Sequence, residues 1–248
     1  MGLSTEKIGM ADTSKARIGF VSSGPSSRPH YASFTPLIPK EVGVDFHGLD
    51  LYGDSLYEIE GKKDLIVQSI SELAKKHDWD GVMVTAAPPE VLNPGLLDDL
   101  KASLSVPVTT ALNASVAALR AYSAKRVLLL TPFDERLNEM ICDHLRKAGI
   151  TALAPRPFRK LGDAIRLTPD EVFALAEKAL SETGAVDAVY FQGAVLDPLK
   201  VLEKIEEKRA TTVIASNPAM LWFILSKLGL AYRIPAYGKL LRDWPALS

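Results

Sequence analysis

The sequence has 248 residues, of which 47% are hydrophobic and 24% are charged, a composition typical of a globular protein with one large or two small domains. Its formal net charge is −1 with both signs interspersed, and no apolar run approaches the roughly 18–20 residues that span a bilayer, so neither nucleic acid nor a membrane is an expected partner. The single cysteine, Cys142, excludes an internal disulfide framework and a multi-cysteine metal site, and a cytoplasmic location is expected.

The first half of the chain predicts four β-strands with helices between them. After a loose leader over residues 1–16, runs of apolar and β-branched residues occur at 17–23, 44–51, 80–86 and 106–112. Such nearly continuous runs are expected of parallel strands that are buried on both faces. The intervening segments with helical periodicity are 61–77, 90–104 and 113–123.

The second half repeats this alternation. Its strand-like runs are 126–132, 150–158, 187–193 and 211–217. Its helical segments are 134–148, 169–183, 197–208 and 217–229. In the stretch TPDE, Thr168 is the predicted N-cap of a helix, Pro169 is its first residue, and Glu171 completes a capping box.

The two halves match strand for strand at a nearly constant offset, as Val82 and Val189 illustrate, and an internal duplication is the simplest explanation. We therefore predict an α/β protein of two pseudo-symmetric Rossmann-like lobes, each with a four-stranded, mainly parallel sheet, and an active-site cleft between them. The predicted boundaries are 17–121 for the first lobe, 122–230 for the second lobe, and 231–248 for a tail that returns to the first lobe.

The loop after the first strand, SSGPSSRPHY, is the richest polar segment near the predicted cleft. Arg28 can hold a carboxylate through two parallel hydrogen bonds, and His30 can transfer a proton near neutral pH. Four hydroxyl groups add hydrogen-bonding capacity, those of Ser22, Ser23, Ser26 and Ser27. The same composition is typical of an ordinary surface turn, so anion binding and a plain loop both remain open.

Other candidate site residues follow strands elsewhere in the chain. Asn113 and Asn217 stand at predicted helix N-caps, where unpaired N–H groups favour a carboxylate, although simple capping explains them equally well. Thr85 and Gln192 lie just before the ends of two matching strands, and strand alternation alone does not decide whether they face the cleft. Glu90 is a candidate acid–base group, but acidic residues are also common in a first helical turn.

No cofactor site is predicted, because the glycine patterns of nucleotide-binding loops, GxGxxG and GxxxxGK[ST], are missing from the sequence. His47, His77 and His144 have no histidine, cysteine or carboxylate partner at metal-ligand spacing, so no metal site is expected either. Cys142 falls within a helical pattern, away from the strand ends, and is predicted to be a small, partly buried helix residue.

Three segments share order and spacing with a known group of enzymes: VPVTTALNASVAALRAYSAKRVLLLTPFDERLNE at 106–139, VIASNPAMLWFILSKLG at 213–229, and YGKLL at 237–241. On these segments the chain resembles the aspartate/glutamate racemase superfamily, and within it the branch of arylmalonate decarboxylase and maleate isomerase. The likeness covers nearly the whole chain from Ile18 onward. It implies an enzyme that acts on a small carboxylic acid without cofactor or metal, and a homodimer is a further expectation.

The resemblance also implies where the site lies. Members of the family place a cysteine at the end of the third strand in one or both lobes, where it attacks a double bond or moves a proton at carbon. In this chain those positions fall at Ala87 and Gly193, so both thiols are missing. Pro88 and Pro89 replace two hydroxyl residues, and Phe133 replaces a tyrosine of the decarboxylases and cannot donate a hydrogen bond.

The sequence leaves two functions open. The first is a cofactor-free decarboxylase, isomerase or similar enzyme that acts on a small carboxylic acid without cysteine, with His30 and Glu90 as candidate catalytic residues. The predicted substrate-binding residues are Ser22, Ser23, Ser26, Ser27, Arg28, Thr85, Ala87, Asn113, Phe133, Gln192, Gly193 and Asn217. The alternative is an inactive carboxylate-binding or sensor protein on the same scaffold, which the missing thiols favour.

Overall fold

The computed structural model describes residues 14–25, 33–155, 163–164 and 167–247, and within them the eight predicted strands form two separate four-stranded sheets. The first sheet contains β1 (Ala16–Ser22), β2 (Val42–Gly48), β3 (Gly81–Val84) and β4 (Val108–Thr110). The second sheet contains β5 (Arg126–Leu130), β6 (Thr151–Leu153), β7 (Ala188–Phe191) and β8 (Thr212–Ala215). Every neighbouring pair in both sheets is parallel, which confirms the predicted α/β class.

The two sheets have the same strand order, β2-β1-β3-β4 and β6-β5-β7-β8. A backbone contact is repeated as well, because the third strand of each lobe is preceded by an aspartate that binds the start of the first strand. Asp80 Oδ2 accepts a hydrogen bond from the Arg17 backbone N at 2.7 Å, and Asp187 Oδ2 accepts one from the Arg126 backbone N at 2.8 Å. This contact explains why the segments DGVMV and DAVYF both begin with aspartate.

Helices cover the sheets and follow most of the predicted segments. They are α1 (Lys63–His77), α2 (Pro88–Val91), α3 (Leu96–Ser103), α4 (Ala111–Ala121), α5 (Glu135–Lys147), α6 (Pro169–Thr183), α7 (Leu202–Arg209), α8 (Ser216–Lys227) and α9 (Lys239–Asp243). The predicted capping box of α6 is confirmed, since the Thr168 side chain accepts from Glu171 N and the Glu171 side chain accepts from Thr168 N. No helix in the described ranges is long and apolar enough to cross a membrane.

Two predicted helices are interrupted. The segment 90–104 is not one helix but α2 and α3, separated by Pro94 and by Gly95, whose φ of 83° is left-handed. The segment 197–208 begins as 3₁₀ helix (Pro198–Lys200) before α7, and Asp197 ahead of it has a left-handed φ of 41°. In both lobes the chain therefore leaves the third strand through a short, irregular segment.

The lobes are joined by helices that each contact the other lobe's sheet. The helices α4 and α8 pack against each other, α8 also packs on β3 and β4, and α4 packs on β8. The first ten residues of α8 are buried, which fits its apolar sequence AMLWFIL. Gly81 in β3 allows this close approach, because a Cβ atom there would lie 2.9 Å from Ile224 Cγ1. One hydrophobic core consequently runs through both lobes.

The C-terminal tail was expected to return to the first lobe, but its described hydrogen bonds join it to the second. Lys239 N donates to Glu206 Oε2 of α7 at 2.9 Å, and Trp222 Nε1 of α8 donates to Pro245 O at 3.0 Å. The reason is that Glu206 of α7 is buried and accepts hydrogen bonds from the tail's Lys239 N and, at 3.1 Å, from Val213 N of β8.

Candidate active site at the strand ends

The third strands of the two lobes end in the same way. Thr85 N donates to Val21 O at 2.9 Å, and Gln192 N donates to Leu130 O at 2.9 Å, so these two residues occupy equivalent positions. The next residue in each lobe has a left-handed backbone, Ala86 with φ of 69° and Gly193 with φ of 106°. Counted from the strand end, Gly193 thus corresponds to Ala86, and Ala87, the fully buried residue predicted for the site, lies one place further along.

The end of the third strand in the second lobe leaves almost no free space for a ligand or for a larger side chain. A Cβ atom at Gly193 would lie 2.7 Å from Pro132 Cδ and 3.3 Å from Phe133 Cζ. Phe133 is buried, and its backbone N donates to Thr131 Oγ1 at 3.1 Å. The cavity bordered here by Gly193 and Asn217 has a volume of about 10 Å³, which is room for about one water molecule. A side chain of any size at Gly193 therefore has no space.

The matching region of the first lobe holds a buried carboxyl group. Pro88 and Pro89 occupy the first two positions of α2, where a missing N–H costs no hydrogen bond, and Glu90 follows them in the first turn. The Thr110 hydroxyl at the end of β4 donates to Glu90 Oε2, and His144 Nε2 of α5 lies 3.9 Å from Glu90 Oε1. Only 10% of the Glu90 side chain is exposed.

Burial raises the pKa of Glu90 above the ordinary value of 4.5, because the charged form loses hydration. The Thr110 hydroxyl and His144 favour the charged form and offset part of this rise. Glu90 borders a groove of about 410 Å³ between α2, α3 and α5, whose lining also includes Met140, His144 and Lys147. Glu90 is therefore a buried carboxyl group with two polar contacts, next to an open groove, and such an environment makes it a candidate for acid–base chemistry.

A second polar pair lies in the second lobe. The Tyr190 hydroxyl of β7 donates to Gln192 Oε1, and both side chains are fully buried. Burial raises the pKa of Tyr190, while a hydrogen bond involving Ser115 of α4 opposes the rise. The phenol therefore stays protonated and acts as a donor. Gln192 Nε2 has no hydrogen-bond partner among the described residues.

Several buried polar atoms without a partner in the described ranges lie near strand ends. They are Ser23 Oγ after β1, Asn113 Oδ1 after β4, Gln192 Nε2 after β7 and Asn217 Oδ1 after β8. Buried polar groups are normally satisfied, so such a set needs water or a ligand. These four residues were all predicted for the site. Of the other predicted residues, Thr85 is buried, and Ser22 Oγ accepts from Gly24 N at 3.2 Å.

The predicted N-cap positions of two asparagines are wrong. Thr110 caps α4, and Asn113 is its third residue, whose N donates to Thr110 Oγ1 at 3.1 Å. Ala215 precedes α8, and Asn217 is its second residue. Each helix begins earlier than predicted because the apolar strand leads into it without a turn. Ser26, Ser27, Arg28 and His30 lie outside the described residues.

The expectation that His47 and His77 have no histidine or carboxylate partner is also corrected. Asp45, His47 and His77 offer ligand atoms that all lie within 4.8 Å of one another. The sequence spacing hid this cluster because β2 and the end of α1 are brought together only by folding. Cys142 is half-buried in α5, as predicted, and burial raises the pKa of its thiol.

Sequence reasoning missed Thr110, Tyr190 and His144 as parts of this region. Thr110 is the second threonine of the stretch PVTTAL, directly before a helix, and that position could have marked it as a cap with a hydroxyl at the strand end. Tyr190 shares a strand face with Gln192, which the two-residue period indicates. Nothing in the sequence links His144 to Glu90, since the contact crosses between the lobes.

Comparison with known proteins decides the family. The family model described as arylmalonate decarboxylase matches residues 90–241, which is more than half of the chain. The chain belongs to the arylmalonate decarboxylase family. The matched segment begins at Glu90, after the end of β3, and extends through the second lobe into α9.

Individual relatives agree with this family assignment. The chain is 29% identical over 143 residues to a maleate isomerase of Nocardia farcinica, a match that spans 57% of each protein. It is 24% identical over 191 residues to an arylmalonate decarboxylase of Bordetella bronchiseptica, covering 71% of this chain and 78% of that enzyme. A glycine-to-cysteine variant of arylmalonate decarboxylase with associated sulfate superposes with a TM-score of 0.78 at 21% identity, covering 91% of this chain and 99% of that one. This structural likeness shows the shared two-lobe fold.

Proposed function

We propose that this protein is a cofactor-free decarboxylase of a small dicarboxylic acid that uses a carboxyl group, and not a thiol, as its proton donor. Membership of the arylmalonate decarboxylase family supports a reaction at the carbon next to a carboxylate. The observation that carries the proposal is the buried Glu90, which has a raised pKa, a hydroxyl partner in Thr110 and a position close to the end of β3.

In the proposed reaction, the bond between the α-carbon and one carboxylate breaks and CO₂ leaves. The electron pair stays on the remaining acid as an enediolate, and protonated Glu90 transfers its proton to the α-carbon. Water then returns a proton to Glu90 through the adjoining groove. A group with a raised pKa suits this step because it is protonated closer to neutral pH than an ordinary glutamate.

Decarboxylation fits the chain better than cis–trans isomerisation. Rotation about a carbon–carbon double bond requires a nucleophile to add to it first, and neither Ala87 nor Gly193 carries one. Loss of CO₂ requires only a held carboxylate, a way to stabilise the enediolate and a proton donor. For the first two tasks we propose the two unpartnered donors, Ser23 Oγ and Gln192 Nε2, with Ser26, Ser27, Arg28 and His30 from the first loop.

The test is a Glu90→Gln variant assayed with arylmalonic acids in D₂O, following CO₂ release and deuterium at the α-carbon by NMR. Glutamine keeps an oxygen for Thr110 but cannot donate the proton, so turnover should fall by about 10²–10⁴-fold. Glu135→Gln, at an exposed position in α5, is the matched control and should retain full activity. Equal activity of Glu90→Gln and wild type would remove Glu90 from the mechanism.

A carboxylate-binding protein without turnover is the second candidate, favoured by the closed end of β7 at Gly193. In that case arylmalonic or maleic acid would raise the melting temperature of the wild-type protein, but neither CO₂ nor deuterated product would form. Activity of the wild-type protein that depends on Glu90 would reject this alternative.

A further inference from the structure

Asp45, His47 and His77 form a compact group on the outer face of the first sheet. Asp45 and His47 are two residues apart on β2 and therefore point to the same face, while His77 is the last residue of α1, which covers that face. The ligand atoms of the three residues all lie within 4.8 Å of one another. None of them belongs to the strand ends proposed for catalysis.

The geometry points to a binding site for a divalent transition metal of the zinc class, with Asp45, His47 and His77 as protein ligands, and we propose it as such. Two imidazoles and one carboxylate are a ligand set that such ions accept, with water in a fourth position. Zinc–nitrogen and zinc–oxygen bonds of about 2.0–2.1 Å place ligand atoms about 3.3 Å apart, so each side chain here needs to move by roughly 1 Å or less.

Neighbouring groups hold these side chains in place. Trp79 Nε1 donates to Asp45 Oδ2 at 2.8 Å, and Arg17 Nε donates to the same oxygen at 2.9 Å. The His77 ring stacks on Trp79 with their centroids 5.4 Å apart, and the His47 ring lies 4.7 Å from that of His77. Ligands of metal sites are typically oriented by such outer hydrogen bonds and packing.

The two imidazoles are also chemically suited to the task. His77 Nε2 is buried and has no hydrogen-bond partner in the described ranges, and His77 Nδ1 lies 3.9 Å from Asp45 Oδ2. His47 supplies the second imidazole from the same face of β2 as Asp45. Arg17 and Lys76 add positive charge nearby, and we therefore expect micromolar affinity rather than tight binding.

The experiment uses the full chain without a histidine tag and measures Zn²⁺ binding by calorimetry and Co²⁺ binding by visible absorption. We expect one ion per chain, a Co²⁺ spectrum typical of four-coordination, and a rise in melting temperature of about 5 °C at a hundredfold excess over Kd. His77→Gln and His47→Gln should each weaken binding at least tenfold. His144→Gln, which changes a histidine outside the cluster, should bind like wild type.

The proposal is overturned if neither ion binds at millimolar concentration, or if binding survives both His47→Gln and His77→Gln. If one of these variants fails to fold, the other variant still tests the site. In addition, Co²⁺ bound by His47 and His77 should broaden the NMR signals of these two imidazoles in the wild-type protein. Broadening confined to other histidines would assign the ion elsewhere. Catalytic activity is not a readout here, so the result is independent of the proposed decarboxylation.

Discussion

The ends of β3 and β7 show how far two copies of one scaffold can diverge. Both lobes keep the strand order, the aspartate that ties the third strand to the first, and a left-handed residue two places after the strand. After that residue the first lobe buries a carboxyl group at Glu90, whereas in the second lobe Pro132 and Phe133 lie directly against Gly193. Contacts that build the sheet are repeated, and contacts that decide chemistry are not.

The largest expected effect concerns the closed end of the second lobe. Gly193→Ala combines an unfavourable left-handed backbone with a Cβ atom 2.7 Å from Pro132 Cδ, and should lower the free energy of unfolding by about 2–4 kcal/mol. Urea denaturation measures the change.

Two variants separate the causes of that effect. Gly229→Ala also meets a positive φ, of 73°, but with no atom within 4 Å of the new Cβ, and should cost only about 1 kcal/mol. Ala86→Gly relieves the left-handed alanine in the first lobe and should be neutral or stabilising. If Gly193→Ala costs no more than Gly229→Ala, the second lobe is not closed as described.

A smaller loss of stability is expected from a substitution in the first lobe. Thr110→Val removes the N-cap of α4 and the hydroxyl that supports Glu90, and should lower the free energy of unfolding by about 1–2 kcal/mol. Thr151→Val, at an exposed position in β6, is the control and should change it by less than about 0.5 kcal/mol.

Thr110→Val should also change how the stability of the protein depends on pH. The folded-state pKa of Glu90 lies above 4.5, so the wild-type protein gains stability from this group at low pH and loses it as the pH rises through the raised pKa. Without the Thr110 hydroxyl that pKa rises further, and the loss of stability should extend to higher pH. Glu90→Gln should abolish this part of the pH dependence, and an unchanged profile in both variants would contradict the assignment.

The smallest expected effect compares the capping boxes of the two lobes. Thr168→Ala should lower the free energy of unfolding by about 1 kcal/mol, because it starts a helix of 15 residues. Ser55→Ala removes the same pattern from a 3₁₀ helix of four residues in the first lobe and should cost less. Thermal denaturation of both variants shows which one loses more stability. A larger loss of stability for Ser55→Ala would contradict the greater importance of the capping box of α6.

The sequence was sufficient for the strands because most of them lie in nearly continuous runs of apolar and β-branched residues, and for α6 because Thr168, Pro169 and Glu171 mark its start. It was insufficient for helix starts such as Thr110, where strand and helix share one apolar stretch. The site was anticipated only in part. Residues adjoining strand ends, such as Gln192 and Asn217, follow from topology, whereas the pairing of Glu90 with His144 depends on how two distant segments pack.

Because α4 packs on β8 and α8 packs on β3, each half of the chain covers part of the other half's sheet. A protein cut between residues 123 and 124 would leave two fragments, each with an exposed apolar surface that in the intact chain packs against a helix of the other half. We expect such fragments to aggregate when produced singly and to recover a native fold when produced together. A mutation that weakens the packing of α4 or α8 on the other lobe should accordingly disturb the ends of both β3 and β7.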